Sequence, residues 1–505
     1  MALDPHSVTT RSEVVLNADP SRVLARLFVP GHEQRTDTES RATGVLARIV
    51  ALPEDSVRAA LQHVRTEYGG RHRDLAAILT AHYEQIAHRL PDTEPFSAER
   101  KALIGAVFTQ EYAIEGAALF NPSVVVHPDQ GGLGPGRVRF VLSLRAVGEG
   151  HISSIEFRTG VWGPGATLIL DEPGPHVEQG VVSAVSYDRD LFKARLAEEG
   201  ADTESARYLI GRLSAEFEID HLETALRKLR GQRVTRHGGP VTEEIARRLA
   251  ESSYRVVFSE DSALPERVLW PQGPTESQGL EDARFVRFVD ADGAVRYLAT
   301  YTAFDGDHIA PQQISTTDFR EFVITEFAGP AAKNKGMALF PRKVGARYFA
   351  LSRWDREGCS IASSKDGRRW GDGQDIYLPD QPWELIQTGN CGSPLETDAG
   401  WLVLTHGVGP MREYAIGALM LDLEDPTSVV GRLREPLLRP AGDERNGYVP
   451  NVVYSCGGLI HDGALLLPYG VSDASVRFAF FDLAELLARL TADGPPATIP
   501  ANSSA

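Results

Sequence analysis

The sequence predicts an all-β core folded as a five-bladed β-propeller, with helical segments added at two places. One observation is a recurring hairpin, in which two apolar strands flank a tight turn such as Asp292-Gly293 or Asp462-Gly463. Turns of this kind between alternating apolar runs are the strongest short-range signal for a hairpin. The other observation is the spacing. About five copies of roughly 50 residues each are typical of propeller blades, and a closed ring leaves no exposed sheet edge.

The predicted propeller covers residues 117–485. Its last three copies are evenly spaced, whereas the first two are separated by an insertion. In each copy, the strand after the turn ends in a polar residue that is followed by small residues. The copies begin near Val138, Arg284, Met337, Ser393 and Asn451.

Two regions outside the repeat carry apolar residues at helical spacing. Residues 1–116 are predicted to form a largely helical N-terminal extension, with Val57, Leu61 and Val64 on one helix face. Residues 186–265 are predicted to be a helical insertion between the first two blades. We expect these helices to brace the propeller or to form a homo-oligomer interface. Residues 486–505, rich in Pro and small residues, are predicted to be disordered.

The composition argues against several classes of partner. Lys and Arg number 52 and Asp and Glu number 69, a net charge of −17, which disfavours nucleic acid and anionic membrane surfaces. Residues 1–5 do not resemble the start of a secretory signal, and no apolar run approaches the ~18–20 residues that span a bilayer. The three cysteines are odd in number and lack metal-like spacing. We therefore expect a cytoplasmic protein that needs no metal or organic cofactor.

The segment Gly279-Leu280-Glu281-Asp282-Ala283-Arg284 places two carboxylates and an arginine before a strand-like run. Neighbouring side chains of a strand point to opposite faces, so Glu281 and Asp282 must have different tasks. Taken alone, such a pair is more often a solvated turn or a structural ion pair. Its position in a repeated fold favours a functional site.

A ring of blades would bring the polar strand ends of several copies to one axial mouth, beside the cluster at 281–284. Arginines, tyrosines and a histidine around one mouth suit a small hydroxylated or anionic ligand. The alternative is that these residues are unrelated polar groups facing solvent. The strand-end residues are Arg145, Tyr301, Arg353, His406 and Tyr469.

Five segments, taken together and in order, resemble glycoside hydrolase family 130, whose inverting phosphorylases and hydrolases act on β-mannosides. The resemblance covers residues 120–481 and implies a five-bladed propeller, in agreement with the repeat. It also implies a small oligosaccharide as the substrate. The segments are residues 279–284, 334–341, 405–409, 417–426 and 449–454.

The resemblance implies that Asp282 is the catalytic acid, although Ala283 stands where the family usually has Pro. Such an acid needs a raised pKa to hold its proton near neutral pH, whereas a neighbouring arginine lowers it. We therefore expect Arg284 to pair with Glu281 or with sugar hydroxyls. Asp305, after the second blade's strand, is a further candidate for substrate binding. With Asp307 and His308 it lacks a fourth metal ligand.

Hydrolysis and phosphorolysis differ in the nucleophile. Phosphate needs a cationic clamp, for which Lys335, Arg353 and His406 are candidates, although Lys335 by default is a solvated residue before a strand. The resemblance places a phosphate-binding lysine where this chain has Glu396. A carboxylate there would repel phosphate and could deprotonate a water, unless Glu396 is only a solvent-facing hairpin residue.

The sequence therefore favours a β-mannoside hydrolase with Asp282 as general acid and Glu396 as candidate base. A phosphorylase that uses inorganic phosphate as co-substrate and releases mannose 1-phosphate is a close alternative. A propeller that binds saccharides without turnover is a second alternative, and a scaffold without saccharide affinity is a third.

Overall fold

The computed structural model describes residues 9–30, 41–90, 96–232 and 238–496. Residues 1–5, from which the absence of a secretory signal was predicted, lie outside these ranges. The chain divides into a larger unit (Met1–Ala18, Ala117–Pro173 and Gly180–Ala505) and a smaller one (Asp19–Gly116 and Gly174–Gln179). The fold is mostly β. Over the described ranges, the structure has no helix that is both long and apolar enough to cross a lipid bilayer.

The helices are named in chain order. They are α1 (Arg41–Val50), α2 (Glu54–Tyr68), α3 (Leu75–Ile86), α4 (Ala98–Val107), α5 (Arg189–Glu198), α6 (Glu204–Ile210), α7 (Ile219–Gln232), α8 (Gly239–Glu251) and α9 (Leu483–Asp493).

The strands are also named in chain order. They are β1 (Thr9–Asn17), β2 (Val23–Leu27), β3 (Thr109–Ala113), β4 (Ala118–Val126), β5 (Val138–Val147), β6 (Ser153–Gly163), β7 (Thr167–Leu170), β8 (Glu178–Gln179), β9 (Val181–Ala184), β10 (Tyr187–Asp188), β11 (Glu216–Phe217), β12 (Tyr254–Val257), β13 (Arg267–Leu269), β14 (Gly279–Val289), β15 (Val295–Phe304), β16 (Ile309–Thr316), β17 (Glu321–Glu326), β18 (Ala338–Leu339), β19 (Tyr348–Ser352), β20 (Cys359–Ser364), β21 (Gln374–Tyr377), β22 (Gln387–Asn390), β23 (Leu395–Thr397), β24 (Gly400–Val408), β25 (Tyr414–Leu421), β26 (Val429–Arg432), β27 (Val453–Tyr454), β28 (Leu459–His461), β29 (Ala464–Val471) and β30 (Ser475–Asp482).

The smaller unit packs α1–α4 with the antiparallel pair β2 and β3. Side-chain caps start two of its helices: Asp74 accepts a hydrogen bond from the backbone of α3, and Ser97 does the same for α4. Helices α3 and α4 approach closely at Gly105, where a Cβ would lie 2.0 Å from the Leu79 carbonyl oxygen. The core of this unit includes Leu46, Val57, Ile86, Leu103 and Phe108.

The larger unit consists mainly of antiparallel sheets. One has the order β18-β19-β20-β21, and another has the order β22-β24-β25-β26 with β23 also on β24. A long path runs β4-β5-β6-β14-β15-β16-β17-β12-β9, in which β6 and β14 meet through one parallel pairing of Ser153 with Gly279. Gly279 has φ +136°, and a Cβ there would lie 2.6 Å from the Ser153 nitrogen, so this junction requires glycine.

A further sheet has the order β1-β30-β29-β27, with β28 also on β29. Strand β1 pairs with β30 so that Leu16 lies opposite Val476. Residues 9–17 thus complete a sheet of the larger unit, whereas the sequence predicted that they belong to a helical extension. The reason is that alternate residues of this strand face the core, and the helical pattern downstream obscured the alternation. Val14 and Leu16, two residues apart, both pack against the core that contains Phe478.

Helix α9 occupies part of the predicted disordered tail. Asp482 caps its first turn, and Leu486 and Leu490 are buried in the core of the larger unit. The expectation of disorder therefore does not hold for residues 486–493, because the leucine spacing gives this segment a buried face. Residues 497–505 lie outside the described residues.

Helices α5–α8 form the helical part of the segment 186–265, with a core of their own that includes Leu196, Leu209, Leu222 and Leu249. The end of that segment differs from the prediction. After α8, β12 enters the long sheet by pairing with β17.

Glu326 ends β17, is buried, and lies 3.4 Å from Arg195 of α5. Burial raises the pKa of Glu326 to about 7, because the attraction of Arg195 does not offset the loss of hydration and Glu199 repels the charge. The folded pKa is above the ordinary 4.5, so the folded state binds the proton more tightly. Stability is therefore lost as the pH rises from about 4.5 through about 7.

Between pH 5 and pH 8, we expect the free energy of unfolding of the parent to fall by about 1–3 kcal/mol more than that of Glu326→Gln, which cannot titrate at this position. Urea unfolding at the two pH values measures this. Glu198→Gln removes another partner of Arg195 and should keep the parent's pH dependence. Parallel pH profiles for Glu326→Gln and the parent would contradict the assignment.

Candidate active site

A cavity of about 240 Å³ lies at one end of five segments of the larger unit. Each segment contributes to the wall near the start of a strand of a sheet: Asn121 in β4, Asp282 in β14, Lys335 before β18, Gln387 in β22 and Tyr454 in β27. The rest of the wall consists of Arg353, Arg412, Tyr414, Val449, Val452 and Asp473.

A second cavity, of about 250 Å³, is lined by later residues of the same five segments. They are residues 124–126, 285–287, 289, 341–342, 393–396 and 457–459. Because a strand advances ~3.3 Å per residue in one direction, the two cavities lie at opposite ends of the five segments. The buried residues Arg284, Cys391 and Cys456 lie between them along the chain.

Asp282 reaches the first cavity because β14 bulges at this point. Glu281 lies opposite Thr302 and Arg284 opposite Thr300, so β14 holds one extra residue here, and Asp282 takes a left-handed φ of +56°. Strand β4 has a matching bulge at Asn121, with φ +49°. Asn121 Nδ2 donates a hydrogen bond of 2.6 Å to Asp282 Oδ1. Such backbone conformations are costly and typically mark functional sites.

Cations surround the Asp282 carboxylate. Arg145 Nη1 lies 3.5 Å from Oδ1, and Arg284 Nη2 lies 3.9 Å from Oδ2. Burial raises the pKa of Asp282, but Arg145, Arg284, Lys335 and the hydrogen bond from Asn121 together lower it to about 2. The carboxylate is therefore ionised when the cavity is empty, contrary to the raised pKa expected for a resting acid.

Glu281 binds two of these cations. Its Oε1 accepts a bond of 2.6 Å from Arg145 Nη2, and its Oε2 accepts one of 2.5 Å from Lys335 Nζ. Glu281 thus fixes Arg145 and Lys335 beside Asp282, which fits the expectation that the two adjacent carboxylates have separate tasks.

Arg284 does not pair with Glu281, contrary to the prediction. Its guanidinium is buried and donates to the Cys391 carbonyl at 2.8 Å, the Asp282 carbonyl at 2.8 Å and the Tyr454 hydroxyl at 3.0 Å. The bulge turns this side chain inward, between segments, rather than toward the cavity. Arg284 therefore fixes the backbone that presents Asp282 and does not line the cavity wall.

The cavity wall includes two arginines, Arg353 and Arg412, and His406 lies behind Arg353. Arg353 Nη1 lies 2.8 Å from His406 Nε2. Burial, Arg353 and Arg284 lower the pKa of His406 well below its ordinary value, so the neutral ring accepts this hydrogen bond. Within the described residues, no carboxylate lies within 4 Å of the side-chain nitrogens of Arg353 or Arg412. These two cations are thus available to an anionic ligand.

Comparison with known proteins identifies the family. A family profile described as beta-1,4-mannooligosaccharide phosphorylase (Glyco_hydro_130) matches residues 251–491. The 1,2-beta-oligomannan phosphorylase of Thermoanaerobacter sp. is 33% identical over 232 residues, which is 44% of this chain and 75% of that protein. The chain belongs to glycoside hydrolase family 130.

A second sequence relative and one solved structure are also similar to this chain. The beta-1,2-mannobiose phosphorylase of Listeria innocua is 34% identical over 233 residues, which is 44% of this chain and 63% of that protein. The structure of the beta-1,2-mannobiose phosphorylase from Listeria innocua in complex with beta-1,2-mannobiose is 23% identical, with a TM-score of 0.44. The match covers 79% of this chain and 96% of the Listeria chain. The sequence matches show that this family 130 chain is an enzyme of a β-mannoside-active family.

Of the residues predicted for the site of this family 130 chain, the structure brings seven to the cavity or directly behind it. Asp282, Lys335 and Arg353 line the wall, whereas Arg145, Glu281 and His406 contact lining residues. Arg284 also contacts two lining residues from behind.

The sequence analysis missed Asn121, Arg412 and Asp473. Burial and the charge of Asp282 raise the pKa of Asp473 to about 6, although Arg145 and Arg412 oppose this. One signal was available, because Ser472-Asp473 directly follows the polar strand end of the fifth copy. Both residues take left-handed φ values, which turn the chain back at the cavity.

Tyr301 and Tyr469 do not reach the cavity of this family 130 chain. The Tyr301 hydroxyl bonds buried Glu276, and the Tyr469 hydroxyl donates to buried Glu444 at 2.7 Å. Each glutamate also accepts a backbone N–H group of its own turn. Each tyrosine–glutamate pair therefore anchors a turn to a strand. Asp305 accepts the N–H groups of Asp307 and His308 and shapes a loop instead.

We expect Tyr469→Phe to lower the free energy of unfolding by about 1–3 kcal/mol, because buried Glu444 loses a hydrogen-bond donor. Urea unfolding measures the change. Tyr448→Phe alters a tyrosine that is 75% exposed and should stay within about 0.5 kcal/mol of the parent. Equal effects of the two changes would contradict a structural role for Tyr469.

Glu396 lies at the other cavity, contrary to its predicted place beside Asp282. Arg342 holds it through two nitrogens, with Nη2 2.6 Å from Oε1 and Nε 2.9 Å from Oε2. The reason is its position on the fourth segment, where Gln387 reaches the first cavity and Glu396 comes after the segment has crossed to the opposite end. The geometry does not support Glu396 as a base that acts with Asp282.

Proposed function

We propose that this chain is an inverting β-mannoside phosphorylase, folded as a five-bladed β-propeller, which transfers a mannosyl group to inorganic phosphate. The observation that carries this proposal is the pairing, in one cavity of about 240 Å³, of the Asp282 carboxylate with a cationic wall. Lys335, Arg353 and Arg412 form that wall. A phosphorylase needs both groups, one for the leaving oxygen and one for the phosphate.

The arrangement of the sheets supports the propeller. Five segments in chain order line both cavities, as the inner strands of five blades around an axis would. Three of the sheets contain one such segment each, and the long sheet contains two, β4 and β14. The parallel pairing at Ser153 and Gly279 is where the first blade would pass to the second.

Asp282 is the proposed acid. A phosphate oxygen bonds to the anomeric carbon from the face opposite the leaving group as the bond to the leaving oxygen breaks. The leaving oxygen keeps that electron pair and takes a proton from Asp282, directly or through a sugar hydroxyl. The protonated mannosyl phosphate returns one proton to Asp282, which completes the cycle.

Phosphate binding would also reconcile the low pKa of Asp282 in the empty cavity with a role as general acid. Arg145, Arg284 and Lys335 hold the carboxylate ionised. A phosphate dianion bound by Lys335, Arg353 and Arg412 would offset those cations and raise the pKa of Asp282. Asp282 would then be protonated only when phosphate is bound, which would restrict cleavage without phosphate.

Hydrolysis is the second candidate, and Asp473 is the observation that favours it. This carboxylate lines the cavity with Asp282, and its pKa is raised to about 6, as suits a group that accepts a proton from water. Hydrolysis does not need the cationic wall, however, and the curated relatives named above are phosphorylases. Glu396, on which the sequence-based preference for hydrolysis depended, lies at the other cavity.

The deciding experiment incubates the chain with β-1,2- and β-1,4-mannobiose, with and without inorganic phosphate, and measures mannose 1-phosphate and free mannose. Mannose 1-phosphate that appears only with phosphate is expected. Free mannose formed at the same rate without phosphate would establish hydrolysis instead. Saccharide binding without either product would leave the non-catalytic alternative.

A further inference from the structure

The smaller unit contains a cavity of about 460 Å³, larger than the two cavities described above. All of its lining residues belong to the smaller unit, and all lie outside the match to the family profile at 251–491. Helices α2, α3 and α4 form three sides, and β3 forms another. The lining residues are His63, Val64, Tyr68, His72, Leu75, Leu79, Ala106, Thr109, Gln110 and Glu111.

One side of the cavity is polar and its central carboxylate is already fixed. Glu111 Oε1 lies 2.9 Å from His72 Nε2, and Glu111 Oε2 lies 2.9 Å from Arg71 Nη1. Each carboxylate oxygen can accept more than one hydrogen bond, so Glu111 retains capacity for ligand hydroxyls. Gln110 adds an amide from the same strand. Arg71 balances the charge of Glu111, which favours an uncharged ligand over an ion.

The opposite side is apolar, with Val64, Leu75, Leu79 and Ala106. Tyr68 adds an aromatic ring that is 40% exposed. A pocket with apolar walls and a few fixed polar groups suits a ligand that is itself two-sided. A hexose is such a ligand, because its hydroxyls form hydrogen bonds at the ring edge while its C–H face packs on apolar and aromatic surface.

We propose that this cavity is a second saccharide site, separate from the Asp282 cavity, that binds one or two neutral hexose units. Glu111 and Gln110 would bind hydroxyls, and Tyr68 would pack on the C–H face. That the hexose is a mannose of the substrate rests on the proposed function. The site would let the enzyme hold an oligosaccharide without engaging the catalytic cavity.

The test is the stoichiometry of β-1,2-mannobiose binding, measured by calorimetry in phosphate-free buffer with the full chain carrying Asp282→Asn. Two sites per chain are expected. Adding His63→Ala and Tyr68→Ala should leave one site. Glu67→Ala, an exposed change on the same helix but outside the cavity lining, should leave two. Thermal unfolding checks that each variant is folded, and Gln110→Ala replaces the double change if it is not.

Hydrogen exchange of the wild-type chain localises binding without any substitution. Saturating β-1,2-mannobiose should slow exchange in residues 63–72 and 109–111 as well as around Asp282. A single site that His63→Ala and Tyr68→Ala leave intact, with no protection in α2 or β3, would overturn the proposal, as would an absence of binding. Phosphate-dependent turnover of the wild type tests the proposed function separately, so the two can fail independently.

Discussion

Asp282→Asn is expected to lower kcat for phosphorolysis of β-1,2-mannobiose by about 10²–10⁴-fold, the usual contribution of a positioned general acid. The amide has nearly the shape of the carboxylate and can still accept the hydrogen bond from Asn121, but it has no proton to give to the leaving oxygen. Release of mannose 1-phosphate at saturating phosphate measures the loss.

A loss of protonation and a loss of structure can be separated by the leaving group. The dinitrophenolate group of dinitrophenyl β-mannoside leaves without needing a proton. Asp282→Asn should therefore retain much more of its activity on this substrate than on mannobiose. Asp292→Asn makes the same change at the exposed tip of the β14–β15 hairpin and should leave kcat near the parent value. Equal losses on both substrates would indicate that Asp282 holds the site together instead of acting as the acid.

Arg353→Gln is expected to raise the KM for phosphate by about 10–100-fold, because hydrogen bonds to a charged group contribute about 1.5–3 kcal/mol. Glutamine keeps a donor near His406 but removes the positive charge. The KM for mannobiose should change much less, since Asp282, Asn121 and Asp473 lie elsewhere on the wall. Initial rates over a matrix of phosphate and mannobiose concentrations give both constants.

Arg342→Gln is the matched control, because Arg342 pairs with Glu396 and lines the opposite cavity. It should leave the KM for phosphate unchanged. If Arg353→Gln and Arg342→Gln have equal effects, or if turnover needs no phosphate at all, the proposed phosphate clamp is wrong.

The parts of the fold that the sequence predicted correctly are those fixed by local chemistry. Turns such as Asp292-Gly293 specify their hairpins, and Val57 and Leu61 at helical spacing mark α2. Strand β1 could not be recognised in this way, because its partner β30 is at the far end of the sequence. A single amphipathic strand gives no indication of which sheet it completes.

The same distinction holds for the candidate site. Asp282 was found because its motif is local, Arg353 because it lies at the end of a repeated strand, and Lys335 because it belongs to a segment that resembles the family. The low pKa of Asp282 could not be predicted, since it depends on Arg145 and Lys335, which only the folded chain brings near. A position at a strand end also fails to predict a site residue where a neighbouring turn supplies a partner. The Tyr469 hydroxyl donates to Glu444 of such a turn and does not reach the cavity.

The pairing of β1 with β30 also has a consequence for how the chain matures during translation. Leu16 and its partner Val476 are 460 residues apart in the chain, so Leu16 is made long before its partner. The sheet that contains β30 therefore cannot be completed until β30 has been made, and until then β1 is an unpaired strand that other nascent chains can capture. Slow closure of so long a loop makes this step a natural point at which chaperones would act.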